Sequence, residues 1–135
     1  MKRLDDKVLV AGQIRPEDVA NLAAEGVAMI VNNRPDGEET GQPASAEIEA
    51  AARAAGVEFR HIPVAMGLSA GQVQAMAEAL ETVEGKTLAF CRSGTRSTYL
   101  WALARAQAGD DADAICGKAA AAGYDLTPIL THLRR

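Results

Sequence analysis

The sequence predicts one α/β domain of three layers, a mostly parallel sheet of four to five strands flanked by helices. Three observations carry that prediction. Short apolar runs alternate with amphipathic stretches, the pattern of strand–helix units whose sheet is covered on both faces. Glycines at 26, 56, 109 and 123 close the amphipathic stretches. The chain has 135 residues, 48% of them hydrophobic, and no linker long enough to divide it, so residues 1–135 read as a single domain.

The elements follow in order. KVLVAG (7–12) is a first strand. RPEDVANLAAEG (15–26) is a helix: Pro16 suits its first turn, Glu17 and Asp18 its positive end, and Val19, Leu22 and Ala23 its buried stripe. VAMIVN (27–32) is a buried strand, and the polar run 32–44, with two prolines and two glycines, is a loop. Ser45 reads as the N-cap of a helix over 45–56, and VEFRHIPV (57–64) as the third strand. Ser69 and Gln72 form a capping box opening a helix to about Glu84, with Val73, Met76, Ala77, Leu80 and Val83 on one face. KTLAF (86–90) is the fourth strand. Helices over 97–109 and 112–123 follow, and a last one over 127–135 starts at an N-cap Thr127 and Pro128.

Composition excludes several function classes. A net charge of −4 argues against a nucleic-acid surface. No apolar run is long enough to span a bilayer, and MKRLDDKVLV lacks an apolar signal region. Cys91 and Cys116 form no disulfide framework, so reduced thiols in the cytoplasm are expected. His61 and His132 with the two cysteines match no zinc spacing, and neither metal nor cofactor is expected.

The chemistry concentrates in AFCRSGTRST (89–98). In open α/β sheets ligands bind beyond the carboxyl ends of strands, and Cys91 stands at such an end. A thiol attacks only as thiolate. Here the following helix N-terminus, Arg92 and Arg96, and the hydroxyls of Ser93, Thr95, Ser97 and Thr98 all favour the anion. Gly94 lets successive amides converge on one point, a nest for an oxyanion that the planar fork of Arg96 completes. An ordinary strand-to-helix turn around a structural cysteine needs the glycine, but neither two arginines nor four hydroxyls.

Cys91-Arg92-Ser93-Gly94-Thr95-Arg96 resembles the active-site loop of rhodanese-type sulfurtransferases. The segments VAGQIRPEDVANLAAEGVAMIVNNRPDGEE, VEFRHIPV and FCRSGTRS resemble the dual-specificity phosphatase fold, and more closely the phosphatase-like domain of the beta-lactamase-hydrolase-like proteins. That resemblance covers nearly the whole chain. It implies a dual-specificity-phosphatase-like fold, a domain found alone or fused to a persulfide dioxygenase, and either of two chemistries.

Two features bear on the choice. Tyrosine-phosphatase loops place five residues between Cys and Arg, whereas four separate Cys91 from Arg96, the rhodanese length. A phosphatase also needs a general acid, worth ~10²–10⁴ in rate. The resemblance puts that acid just after VEFRHIPV, and AMGLSAGQ (65–72) holds none, leaving Asp36, Glu38 and Glu39 of the 32–44 loop as substitutes. The sequence therefore favours a sulfurtransferase carrying sulfane sulfur as a Cys91 persulfide, from a small anionic donor such as thiosulfate or a persulfide to a thiol acceptor. Arg96 and the loop amides would bind the donor, Arg92 would steer it, and Ser97 would hydrogen-bond the thiolate. A cysteine phosphatase working through phosphocysteine is the alternative, and a non-catalytic oxyanion-binding module is the third reading.

Other residues read more blandly. His61 is expected to be half-buried and structural. Arg34 either binds substrate or pairs with nearby carboxylates. Cys116 is a small packing residue unless it lies near Cys91. Tyr99 and Trp101 are expected in the core, and His132, Arg134 and Arg135 near a helix C-terminus, where positive charge is favoured.

Overall fold

The computed structural model describes residues 1–134. Among them, a sheet of five strands runs β1 (Lys2–Arg3), β2 (Val8–Ala11), β5 (Lys86–Phe90), β3 (Val27–Asn32), β4 (Glu58–His61). The last four are mutually parallel, and β1 pairs antiparallel on β2 with Lys2 opposite Val10. The mostly parallel α/β architecture expected from the alternation is the one found.

Successive strand residues point to opposite faces, and the core divides accordingly. Val8, Val10, Met29, Val31 and Ala89 join one cluster, which α3 (Ala70–Thr82), α4 (Thr95–Gln107), α5 (Ala112–Ala121) and α6 (Leu130–Leu133) cover. Ala11, Ile30, Leu88 and Phe90 join the other, beneath α1 (Val19–Ala24) and α2 (Ser45–Ala54). Trp101 is 1% exposed in the first cluster, and its Nε1–H donates to Asp5 Oδ2 at 2.9 Å. The indole thus satisfies its one donor inside the core.

Local chemistry moves several boundaries. β1 carries Lys2 and Arg3 and no apolar alternation, so nothing in the sequence marks it; Asp5 Oδ1 accepts the N–H groups of Lys7 and Val8, both at 2.8 Å, and turns the chain into β2. The first predicted helix divides into a 3₁₀ turn, Pro16–Asp18, and α1. Ser45 is not the N-cap of α2. Ala44 is, and the Ser45 N–H is satisfied by Asp36 Oδ1 at 2.8 Å. The capping box before α3 forms as read, with Gln72 N–H donating to Ser69 Oγ at 3.1 Å and Ser69 N–H to Gln72 Oε1 at 2.8 Å. α4 begins at Thr95 rather than Ser97, because Gly94 turns the chain and its carbonyl accepts both the N–H and the hydroxyl of Thr98, at 2.9 and 2.8 Å. The last segment is a 3₁₀ turn, Thr127–Ile129, then α6. Thr127 is no N-cap, since its own N–H and hydroxyl bond to Asp125; Arg135 lies outside the described residues.

The parallel strands bring their carboxyl ends to one edge. Gly12 and Gln13 follow β2, Cys91 follows β5, Asn33 and Arg34 follow β3, and Ile62 to Val64 follow β4. Among the described residues no helix is long and apolar enough to cross a membrane.

Candidate active site

Cys91 leaves β5 at the middle of the sheet. Its N–H donates to the Ala11 carbonyl at 3.3 Å, which ties the loop to the end of β2. The chain then reverses through Gly94, whose φ of 92° lies in the left-handed region and makes it the N-cap of α4. That reversal turns the loop amides inward. The Gly94 N–H donates to Cys91 Sγ at 3.1 Å. Ser97 is the third residue of α4, one of those whose N–H has no partner inside the helix.

These groups decide the state of the thiol. Cys91 is 1% exposed, and burial alone pushes its pKa up. The N–H groups of Ser97 and Ser93, the Ser97 hydroxyl and the Gly94 N–H outweigh that penalty, so the pKa lies below the ordinary thiol value. The Ser97 hydroxyl is fully buried with no hydrogen-bond partner of regular geometry, and it is one of the groups that lower the thiol pKa. Of these groups the Gly94 N–H makes the regular hydrogen bond to the sulfur.

Beside the sulfur lies a chain of alternating charges. Arg96 Nη1 and Nη2 donate to Glu38 Oε2 and Oε1 at 2.7 and 2.9 Å, and Nη1 also donates to the Val64 carbonyl at 2.8 Å. Arg34 is 2% exposed, with Nε on Glu38 Oε1 at 2.8 Å, Nη2 on Glu39 Oε1 at 2.8 Å and Nη1 on Gln13 Oε1 at 3.0 Å. Arg92 is 69% exposed along its side chain and lies 3.7 Å from Glu39. The string is thus Arg96–Glu38–Arg34–Glu39–Arg92, and one carboxylate already fills the two-pronged face of Arg96. The hydrogen bond to Glu38 raises the Arg96 pKa most, burial opposes it, and the charge on Cys91 adds to the rise.

Glu38 is held ionised. The hydrogen bond from Arg96 lowers its pKa, burial works against that, and Arg34 lowers it further, to about 2 from an ordinary 4.5. Glu39 is lowered as well, first by its hydrogen bond from Arg34 and then by the charge of Arg92. A group whose folded pKa is depressed contributes stability that is fully present above its unfolded pKa and lost as pH falls through the folded one. The Glu38 contribution is therefore complete above about pH 4.5 and disappears toward pH 2. Denaturant unfolding across that window should show a steep acid limb in the wild type and a flatter one in Glu38→Gln.

The residues singled out from the sequence separate into groups. Cys91, Ser93, Gly94, Ser97, Arg96, Arg34, Glu38, Glu39 and Arg92 meet at the sheet edge. Thr95 and Ser93 hydroxyls face each other at 3.2 Å on its exposed rim. Arg34 makes the local carboxylate pairs, and all three of its nitrogens are occupied. Asp36 is engaged at the start of α2. His61 is exposed rather than half-buried, with Nε2 2.9 Å from the Arg34 carbonyl. Cys116 packs part-buried on α5 against the first core cluster. Among the described residues no cluster of His, Cys, Asp and Glu has metal-ligand geometry.

Three contributors escape a reading of the sequence. Gln13 orients Arg34 from the loop after β2. Asn33 is fully buried and its Nδ2 donates to the Ile62 carbonyl at 3.0 Å, locking the ends of β3 and β4 together. Tyr124 reaches the loop from beyond α5, where its Oη donates to the Ser93 carbonyl at 3.0 Å. Its only local signal is the preceding Gly123, which marks a helix end and nothing more.

Comparison with known proteins bears on the family and the fold. Residues 1–108 match the family described as beta-lactamase hydrolase-like protein, phosphatase-like domain. A beta-lactamase hydrolase-like protein of Xylella fastidiosa (strain Temecula1) is 35% identical over 137 residues, covering 98% of this chain but 31% of that relative. The chain thus spans about a third of the relative's length. A solved structure from Neisseria meningitidis Z2491, which carries a provisional phosphatase assignment, superposes with a TM-score of 0.83 at 34% identity, over 98% of this chain and 95% of that one. The structure of PTPMT1 shares the fold at a TM-score of 0.75 and 18% identity, over 98% and 90% of the two chains. With the family match spanning residues 1–108 of 135 and a relative 35% identical over 98% of the chain, the chain belongs to the phosphatase-like domain family of the beta-lactamase hydrolase-like proteins.

Proposed function

We propose that the domain is a cysteine-dependent hydrolase of phosphate monoesters. One observation carries the reading: the Arg96 fork beside the Cys91 sulfur holds a carboxylate through both its oxygens, which is the geometry that takes two oxygens of a phosphoryl group. The family and the fold support phosphoryl chemistry over the sulfur transfer that loop length favours.

The step follows from the site. The Cys91 thiolate attacks phosphorus, the phosphorus–oxygen bond to the alcohol breaks, and a phosphocysteine forms. The Arg96 guanidinium and the first amides of α4 would hold the equatorial oxygens, where charge gathers in the transition state, while the amides of Ser93, Gly94 and Ser97 serve the sulfur. Water then cleaves the phosphorus–sulfur bond and returns the thiolate. Ser97 stabilises that thiolate as leaving group.

The leaving alcohol sets the limit. Segment 65–72 carries no acid, Asp36 is tied to α2, and Glu38 is a carboxylate in the free protein. Substrates whose leaving group needs little protonation should therefore turn over best. Comparison of an aryl phosphate with an alkyl phosphate tests this. Release from the aryl ester is expected to be faster by at least about a hundredfold, the scale of a missing general acid. Equal rates would mean that an efficient acid is present and would redirect attention to Glu38, freed from Arg96.

Sulfur transfer stays as the second reading, favoured by the four-residue spacing from Cys91 to Arg96 and by the ionised Glu38. In that reading the Cys91 thiolate takes a sulfane sulfur, a thiolate or sulfite leaves, and an acceptor thiol collects the sulfur. Its donor would be thiosulfate or a persulfide, and a persulfide dioxygenase would be a fitting partner.

A further inference from the structure

Tyr124 stands in the stretch after residue 108 that the family match does not cover, yet its hydroxyl touches the active-site loop. The contact is placed with care. A peptide unit is planar and trans, so its C=O and N–H point in opposite directions. The unit joining Ser93 to Gly94 accepts from Tyr124 Oη at its oxygen, 3.0 Å, and donates from its nitrogen to Cys91 Sγ, 3.1 Å. Phenol, peptide and sulfur therefore form one relay, in which a hydrogen bond at the oxygen polarises the N–H that faces the thiolate.

Two further observations show that the phenol is seated rather than passing by. The chain leaves α5 through Gly123 at φ 94°, where the Gly123 N–H bonds to the Ala120 carbonyl at 2.9 Å and the Tyr124 N–H to the Ala119 carbonyl at 2.9 Å. This is the Schellman arrangement, which fixes Tyr124 at a set angle to the helix. The hydroxyl also occupies the space where a side chain at 94 would begin: a Cβ there would lie 2.2 Å from Tyr124 Oη. Glycine at 94 and tyrosine at 124 fit as a pair. Burial raises the Tyr124 pKa, and the negative charge on Cys91 raises it further, so the phenol keeps the proton it donates.

We infer that Tyr124 is a positioning residue for the Cys91 thiolate, acting through the Ser93–Gly94 peptide. The inference rests on Cys91 being the reacting group and not on which group it transfers. Removal of the hydroxyl should let that peptide tilt, weaken its N–H as a donor and raise the thiol pKa.

The test is the pH dependence of Cys91 alkylation by iodoacetamide in a Cys116→Ser background, with and without Tyr124→Phe. It needs no turnover, so its outcome is independent of the phosphatase reading. The apparent pKa is expected to rise by about half a pH unit in Tyr124→Phe, seen below the pKa as roughly threefold slower alkylation. A merely structural loss would expose the buried sulfur and speed alkylation at every pH. If the variant melts lower, ultraviolet titration of the thiolate in the folded protein, with Cys91→Ser subtracted, gives the same pKa. An unchanged or lowered pKa in the folded variant overturns the inference.

Discussion

Cys91→Ser is expected to abolish phosphate release, reducing kcat by at least about a thousandfold, as loss of the nucleophile does in enzymes built on a covalent intermediate. The substitution replaces a thiol whose pKa the loop lowers with a hydroxyl whose ionisation lies far out of reach. Four donors that favour a thiolate cannot make an alkoxide at neutral pH. The fold should be kept, because Ser is close in size to Cys and the amides of Gly94 and Ser97 can donate to its oxygen. Far-ultraviolet circular dichroism and binding of inorganic phosphate, both retained while turnover vanishes, would place the loss in chemistry. Residual turnover within tenfold of wild type would mean that Cys91 is not the nucleophile.

Glu38→Gln should instead tighten binding. In the free protein the Glu38 carboxylate spans both terminal nitrogens of Arg96, so an incoming oxyanion has to displace it. A neutral amide competes less well for a guanidinium than a carboxylate, and phosphate should bind roughly tenfold tighter, about the difference between a charge-assisted and a neutral hydrogen-bonded pair. Arg34 keeps Glu39 and Gln13, so the buried guanidinium retains a countercharge and the fold should survive. Glu39→Gln is the control, since it removes a partner of Arg34 and Arg92 and leaves the Arg96 pair alone. Calorimetric titration with inorganic phosphate on both variants separates the two. Weaker binding in Glu38→Gln would show that Glu38 shapes the fork and does not fill it.

The legible part of the structure was the part set by local pattern. Apolar runs at 27–32 and 86–90 became β3 and β5 with the boundaries expected. Ser69 and Gln72 capped α3 because both partners of that box lie within one turn. The clustering of Cys91, Arg96 and the 32–44 carboxylates could be anticipated, since parallel strands deliver their carboxyl ends to one edge. What stayed hidden depended on partners distant in sequence. The Arg96–Glu38 pair spans 58 positions, Trp101–Asp5 spans 96 and Tyr124–Ser93 spans 31. No window along the chain contains both members of any of these pairs. Ser45 misled for the same reason, because the carboxylate serving its N–H is nine residues upstream. Loop length, which favoured sulfur, measures only the spacing of Cys91 and Arg96. It carries no information about the carboxylate held in the fork or about the fold around it.

The most direct test is to trap what Cys91 carries. The protein would be mixed with an excess of an aryl phosphate, quenched in acid within the first turnover and digested, and the peptide containing Cys91 would be weighed by mass spectrometry. A parallel sample would receive thiosulfate. A phosphoryl group on Cys91 from the first sample, absent when Glu38 and Arg96 are intact but Cys91 is serine, is the predicted result. An unmodified Cys91 after aryl phosphate, with an added sulfur atom after thiosulfate, would contradict the phosphatase account and establish the domain as a sulfur carrier.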